Sequence, residues 1–217
     1  ITEGRQSQEI LVGVKSGFTS FFSQRVAFKA GNSWLRPGAL LTVTIDEADY
    51  SLLFLHLKSK SEPVGLGLRD DQLAKAQKLK KKLDKAQPGA KRANFMVLGD
   101  LNTMGMKYIK GKGISGNLEL AKLDKDLARK SVAMRRLTKA ADASWWNGPG
   151  SSYPPGNLDH VLASDHLAFK KFNRLGDDGK AEVDVRGWPA LATNAQKVQW
   201  INRYSDHGLL YLEAQKV

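Results

Sequence analysis

A chain of 217 residues with 41% apolar side chains is long enough to close one domain, spanning 1–217, around a substantial core. No run approaches the ~20 consecutive apolar residues of a membrane span, and the opening ITEGRQSQE has neither a basic n-region nor an apolar h-region, so the expectation is a soluble globular protein with no visible targeting segment. The absence of cysteine excludes disulfides, thiolate catalysis and cysteine metal sites and leaves the compartment open, while 34 Lys and Arg against 22 Asp and Glu, a net charge of +12, reads either as a surface for a polyanionic partner such as nucleic acid or anionic lipid, the favoured reading, or as charge that merely keeps the chain in solution.

Glu9 to Val14 and Phe18 to Phe22 read as an edge hairpin turning at Lys15, Ser16 and Gly17. Trp34 to Pro37 leads into a β-rich stretch, Leu40 to Ile45. After an acidic turn at Asp46, Glu47 and Asp49 comes Ser51 to Leu57, whose apolar run fits a strand buried on both faces. His56 closes it, either as a hydrogen-bonded structural residue or as a group of the site. From Leu66 to Lys85 the period becomes helical through Leu73, Ala76, Leu79 and Leu83, with Lys75, Lys78, Lys80, Lys81, Lys82 and Lys85 on the other positions. That basic face is read in two ways, as a solvated helix surface or as a track for a phosphate backbone.

Asn94 to Asn102, NFMVLGDLN, organises the chain: an apolar strand runs to a rim where Asp100 and Asn102 lie two positions apart, on one side of an extended backbone. The same residues also suit an ordinary strand-end turn. Gly111 to Gly116 reads as a loop, and Leu118 to Ala141 as a second basic helix through Leu120, Leu123, Leu127, Met134 and Leu137. Trp145 and Trp146 either stack on a substrate at the rim or plug the core. Leu158 to Ala163 is a short strand carrying Asp159. Phe169 to Val185 reads as an irregular hairpin turning at Gly176 to Gly179 with Asp177 and Asp178 in the turn. Ala192 to Arg203 reads as a helix with Val198 and Ile201 facing inward, and Leu209 to Leu212 as the closing strand after Ser205, Asp206 and His207. Strands and helices alternate, and strand ends carry Asp, Asn and His, so an α/β domain with a site at its rim is expected.

GDLN at 99–102, LDHVLAS at 158–164 and SDHGLLYLE at 205–213, each at a strand end or start and in this order, together with His56 in FLHLKS, resemble the endonuclease/exonuclease/phosphatase superfamily of metal-dependent phosphodiesterases and phosphatases. His56 resembles the corresponding histidine of the deoxyribonuclease and sphingomyelinase branches. The resemblance covers the chain from about Glu9 onward. It implies a two-sheet sandwich flanked by helices in four layers, αββα, with the site at one edge.

It also implies roles. His207 would be the base or the imidazole on the scissile phosphate, and Asp159 its orienting carboxylate, so the two are expected within hydrogen-bond reach. Asp100 would position or activate water, Asn102 would bond phosphate oxygens, and His56 would donate to a non-bridging oxygen. Asp206 would be the carboxylate at a divalent-metal site, Mg²⁺ or another cation such as Mn²⁺ or Ca²⁺. The family begins with a strand bearing Asn and a second ending in a Glu that is the principal metal ligand. Neither has a counterpart before Glu9 to Val14, and Gln8-Glu9 resembles that pair only superficially, so an N-terminally truncated domain is expected. The implied function is a hydrolase of phosphodiester bonds, with a nuclease favoured by the charge. Its rivals are a lipid or sugar-phosphate phosphodiesterase on the same fold and a catalytically impaired nucleic-acid-binding module.

Overall fold

The computed structural model describes residues 10–29, 31–32, 35–90, 92–172 and 179–215, and all statements of structure concern these. Apolar and β-branched residues at alternate positions make β2 (Gly38–Ile45) and β3 (Ala48–His56) an antiparallel hairpin. Its turn residues Asp46 and Glu47 take positive φ, the handedness that matches strand twist. β1 (Thr19–Arg25) pairs with β2 along its whole length. The expected hairpin between Glu9–Val14 and Phe18–Phe22 is therefore not formed: Ile10 to Val14 adopt no regular structure, Glu9 lies outside the described residues, and the strand begins one residue after Phe18.

Helix α1 (Pro63–Ala86) starts with proline at its first turn and returns the chain to β4 (Asn94–Asp100), parallel to β3, as a parallel pair requires a long crossover. β5 (Met134–Arg136) and β6 (Asp159–Ser164) complete a six-stranded sheet in the order β1-β2-β3-β4-β6-β5. β7 (Asp184–Arg186) and β8 (Leu209–Tyr211) form a second, two-stranded sheet. One face of the large sheet packs Leu53, Leu55, Leu57, Phe95 and Val97 under Leu73, Ala76 and Leu79 of α1 and Leu123 and Leu127 of α2 (Gly116–Leu127). The other face packs Met96, Val161 and Ala163 against Val183, Leu210 and Leu212 around the small sheet. α3 (Asn194–Arg203) lies against the 3-10 turn Trp188–Ala190 after β7. The order is helix, sheet, sheet, helix, the expected α/β sandwich. No helix among the described residues is long and apolar enough to cross a membrane.

Four expectations are corrected. β3 is not buried evenly on both faces: Ser51, Leu53 and Leu55 are buried under the helices, whereas Leu52, Phe54 and His56 are half-buried, because the small sheet covers only part of the other face. Lys80, expected on the solvated face of α1, is fully buried, its ammonium clasped by both Asp84 oxygens at 2.6 Å. The second basic helix ends at Leu127; Ala128 caps it, Ala133 turns the chain at φ 51°, and Met134 lies in a strand while Leu137 follows it, bonded to Val161. Val198 and Ile201 are only half-buried, and α3 has no fully buried residue. Around the expected turn of the Phe169 to Val185 hairpin, Phe172 bridges Ala181, while Gly176, Asp177 and Asp178 lie outside the described residues.

Candidate active site

Strand register brings the first three site residues into one row. His56 is the partner of Asp100 across β3 and β4, and Asp100 is the partner of Asp159 across β4 and β6, so three adjacent strand ends present three titratable side chains along one edge. Gly99 makes this possible: its φ is 131°, and a Cβ there would stand 2.1 Å from the Leu55 carbonyl oxygen.

His207 joins the row from the loop before β8. Its Nδ1 lies 2.9 Å from Asp159 Oδ2 although the two residues are 48 positions apart, the contact expected of the pair. Both partners are fixed from behind. Ser144 Oγ accepts from the Leu158 and Asp159 backbone N–H groups at 3.2 and 2.9 Å, while the Ser144 carbonyl accepts from Gly208 N at 2.7 Å. Lys139 Nζ donates to the Asp159 carbonyl at 2.8 Å, to Asn157 Oδ1 and to the Asp142 carbonyl; burial pulls its pKa down to about 8. The histidine of the LDH sequence, His160, faces inward with Nε2 2.8 Å from Thr103 Oγ1.

Both tryptophans are half-buried and pack around Asp206. Trp145 Nε1 donates to Asp206 Oδ2 at 2.8 Å, and the Asp206 carbonyl accepts from Trp146 N and Trp188 Nε1, each at 2.9 Å. The rings of Trp146 and Trp188 lie 5.7 Å apart. Asn102 departs from simple alternation. Because β4 ends at Asp100 and Asn102 takes φ 50°, its side chain turns back: Nδ2 donates to Asp100 Oδ2 at 2.9 Å and to the Leu57 carbonyl at 3.1 Å, and its backbone N–H donates to Asp100 Oδ1. Asn102 is buried and holds Asp100.

The electrostatics follow from crowding. Burial and the neighbouring Asp159 charge push the Asp100 carboxyl up to about 7, against the pull of His207, the Asn102 N–H and Arg36. Burial, with the charges of Arg36 and His207, pushes His56 down to about 4, so its ring is neutral at pH 7, with Nε2 3.4 Å from Asp100 Oδ2. Burial works against charge on His207 too, but its hydrogen bond to Asp159 and the Asp159, Asp100 and Asp206 charges hold its pKa above the ordinary value. Arg36 is the group that sequence reading missed. It precedes β2, and its charge acts on both Asp100 and His56; in the sequence it is one arginine among many before a strand, with no spacing to mark it.

A pH test follows. Asp100 has a folded-state pKa above its unfolded value, so the native protein loses stability as pH rises from about 4 through about 7. The uncharged Asp100→Asn variant lacks this loss. The difference in unfolding free energy between Asp100→Asn and the parent is therefore expected to move in the variant's favour between pH 4 and pH 8, read by urea unfolding at each pH. A constant difference would contradict the raised pKa.

The loops beyond the strand ends are anchored from the opposite side by a buried pair. Arg69, fully buried on α1, donates to Glu119 of α2 at 2.6 and 2.9 Å, to the Lys60 and Gly105 carbonyls at 2.8 Å and to the Lys58 carbonyl at 3.2 Å. Glu119 also accepts from Gly105 N at 2.7 Å. One ion pair thus ties down the segment after His56 and the segment after Asn102.

This layering of helices and sheets is shared with solved structures, as a likeness of fold. No protein-family model matches the chain, and no curated protein matches it in sequence. Among solved structures, truncated TDP2 of Caenorhabditis elegans matches with a TM-score of 0.55 at 16% identity, over 90% of this chain and 66% of that one. D. rerio TDP2 humanized by 14 mutations matches with a TM-score of 0.50 at 15% identity, over 92% of this chain and 67% of that one. An endonuclease/exonuclease/phosphatase from Beutenbergia cavernae DSM 12333 matches with a TM-score of 0.49 at 16% identity, over 91% of this chain and 45% of that one. The chain spans about two thirds of the TDP2 structures and under half of the Beutenbergia protein, and at these identities the likeness is one of fold.

Proposed function

We propose that this edge hydrolyses phosphodiester bonds by attack of water, with nucleic acid as the substrate class. The observation that carries the reading is the row His56, Asp100, Asp159 with His207 bonded to Asp159 at 2.9 Å. With Nδ1 held by Asp159, the His207 ring has one tautomer and offers Nε2 to the phosphate. Asp100, with a pKa of about 7, is matched to accepting the proton of the attacking water near neutral pH. His56, uncharged at that pH, donates to a non-bridging oxygen, and Arg36 adds positive charge as the transition state gathers negative charge. Asn102 keeps Asp100 in place. The water oxygen forms the new P–O bond as the ester oxygen departs.

The donor set does not by itself make a divalent-cation site. Among the described residues no group of three or more His, Asp or Glu side chains is placed to hold a metal ion, and Asp206 commits Oδ2 to Trp145. No step above is routed through a metal ion; Asp206 is the residue at which Mg²⁺, Mn²⁺ or Ca²⁺ binding is to be tested. Nucleic acid is favoured over a lipid or sugar phosphate by the net charge of +12. The test is turnover of bis-p-nitrophenyl phosphate, single-stranded DNA, RNA and a phospholipid, each with Mg²⁺ and with chelator. Hydrolysis of the small diester and of a nucleic acid supports the reading; phospholipid turnover without nucleic-acid turnover moves it to lipid; binding of nucleic acid with no turnover in Mg²⁺ leaves a binding module.

A further inference from the structure

The segment between Asn102 and α2 is built as an arm. Its base is closed by two backbone hydrogen bonds between Met106 and Ile114, at 2.7 and 2.8 Å, and by Lys107 N donating to the Ser61 carbonyl at 2.7 Å. The buried Arg69–Glu119 pair clamps Gly105 just before it. Beyond this base every residue from Lys107 to Gly113 is exposed, Ile109 completely and Tyr108 to 48%, so the tip adds little to the core. Its sequence, KYIKGKG, interleaves three lysines with an aromatic ring, and no carboxylate occurs from Thr103 to Leu118. Lys107 Nζ sits 5.6 Å from the ring centre of Tyr153, which is 61% exposed on the loop leading to Asp159. The arm, itself the segment after Asn102, therefore touches the segment that follows His56 and the one that precedes Asp159.

We propose that this arm, with Tyr153, is a binding subsite for single-stranded nucleic acid beside the scissile phosphate; the proposal rests on the phosphodiesterase reading for the place of that phosphate. Lysines along a strand neutralise phosphates, and exposed rings stack on bases only where the bases are unpaired. Lys107, Lys110 and Lys112 track the backbone while Tyr108 and Tyr153 take bases.

The test compares a triple variant, Lys107→Ala, Lys110→Ala and Lys112→Ala, with a double variant, Tyr108→Ala and Tyr153→Ala, in the full chain. Fluorescence anisotropy with a labelled oligothymidylate is expected to show binding weakened about tenfold or more in each. The salt slope should fall by about 2 in the lysine variant and stay unchanged in the tyrosine variant. Turnover of bis-p-nitrophenyl phosphate should equal that of the parent in both. Unchanged oligonucleotide binding overturns the proposal. So does a loss of small-diester turnover equal to the loss of binding, which makes the arm part of the site's framework, or a loss of binding to phosphatidylserine vesicles with oligonucleotide binding intact, which makes it a membrane contact. Should the parent hydrolyse no diester, the phosphodiesterase reading fails, while the binding and salt measurements still decide the arm.

Discussion

Replacing His207 with alanine is expected to lower kcat for diester hydrolysis roughly a thousandfold, within the range of about 10² to 10⁴ for loss of an acid–base or charge-stabilising group. Asp159→Asn should cost a similar factor. An asparagine in that place can present N–H instead of a carboxylate to Nδ1, which favours the wrong tautomer and removes the charge beside the ring. Because the two residues act as a unit through one 2.9 Å contact, the double variant should lose little more than either single one. Folding should change little, since the His207 side chain is 29% exposed at the domain edge. Additive losses would show that the residues act separately.

Removing Arg69 should have the largest effect on stability. Arg69→Met leaves Glu119 buried with one remaining backbone donor and strips a partner from the carbonyls of Lys58, Lys60 and Gly105. Stranding one member of a buried pair costs about 3–5 kcal/mol, a large share of the about 5–15 kcal/mol of a typical domain, and should lower Tm by about 10 °C at this chain length. Replacing both Arg69 and Glu119 with methionine should cost less than the single change, because no buried charge is left alone. Urea unfolding of the three proteins checks this; a loss below about 1 kcal/mol for Arg69→Met would contradict it.

The strands that carry the site were legible because their signals are local. The apolar run ending in Gly-Asp located β4, the run ending at His56 located β3, and LDHVLA located β6 to within one residue. What escaped depends on contacts distant in sequence. Lys80 looks like any surface lysine until Asp84 and the chain at Ala93 close over it. Met134 and Leu137 continue a helical spacing by accident, since the left-handed Ala133 breaks the helix pattern before them. Asn102 could be assigned a direction only by assuming an extended backbone, and its positive φ turns the amide onto Asp100. Arg36 bears on these residues through its charge on Asp100 and His56, which no spacing encodes. The Arg69–Glu119 clamp joins residues 50 positions apart, and neither residue type signals burial.

In the proposed mechanism the His56, Asp100, Asp159 and His207 row directs water to a phosphodiester. Hydrolysis of bis-p-nitrophenyl phosphate in ¹⁸O-enriched water with Mg²⁺, followed by mass spectrometry of both products, tests it most directly. One ¹⁸O is expected in the phosphate product and none in the nitrophenol, at a rate that falls roughly a thousandfold in His207→Ala. Label in the nitrophenol, or equal incorporation by His207→Ala, would contradict it.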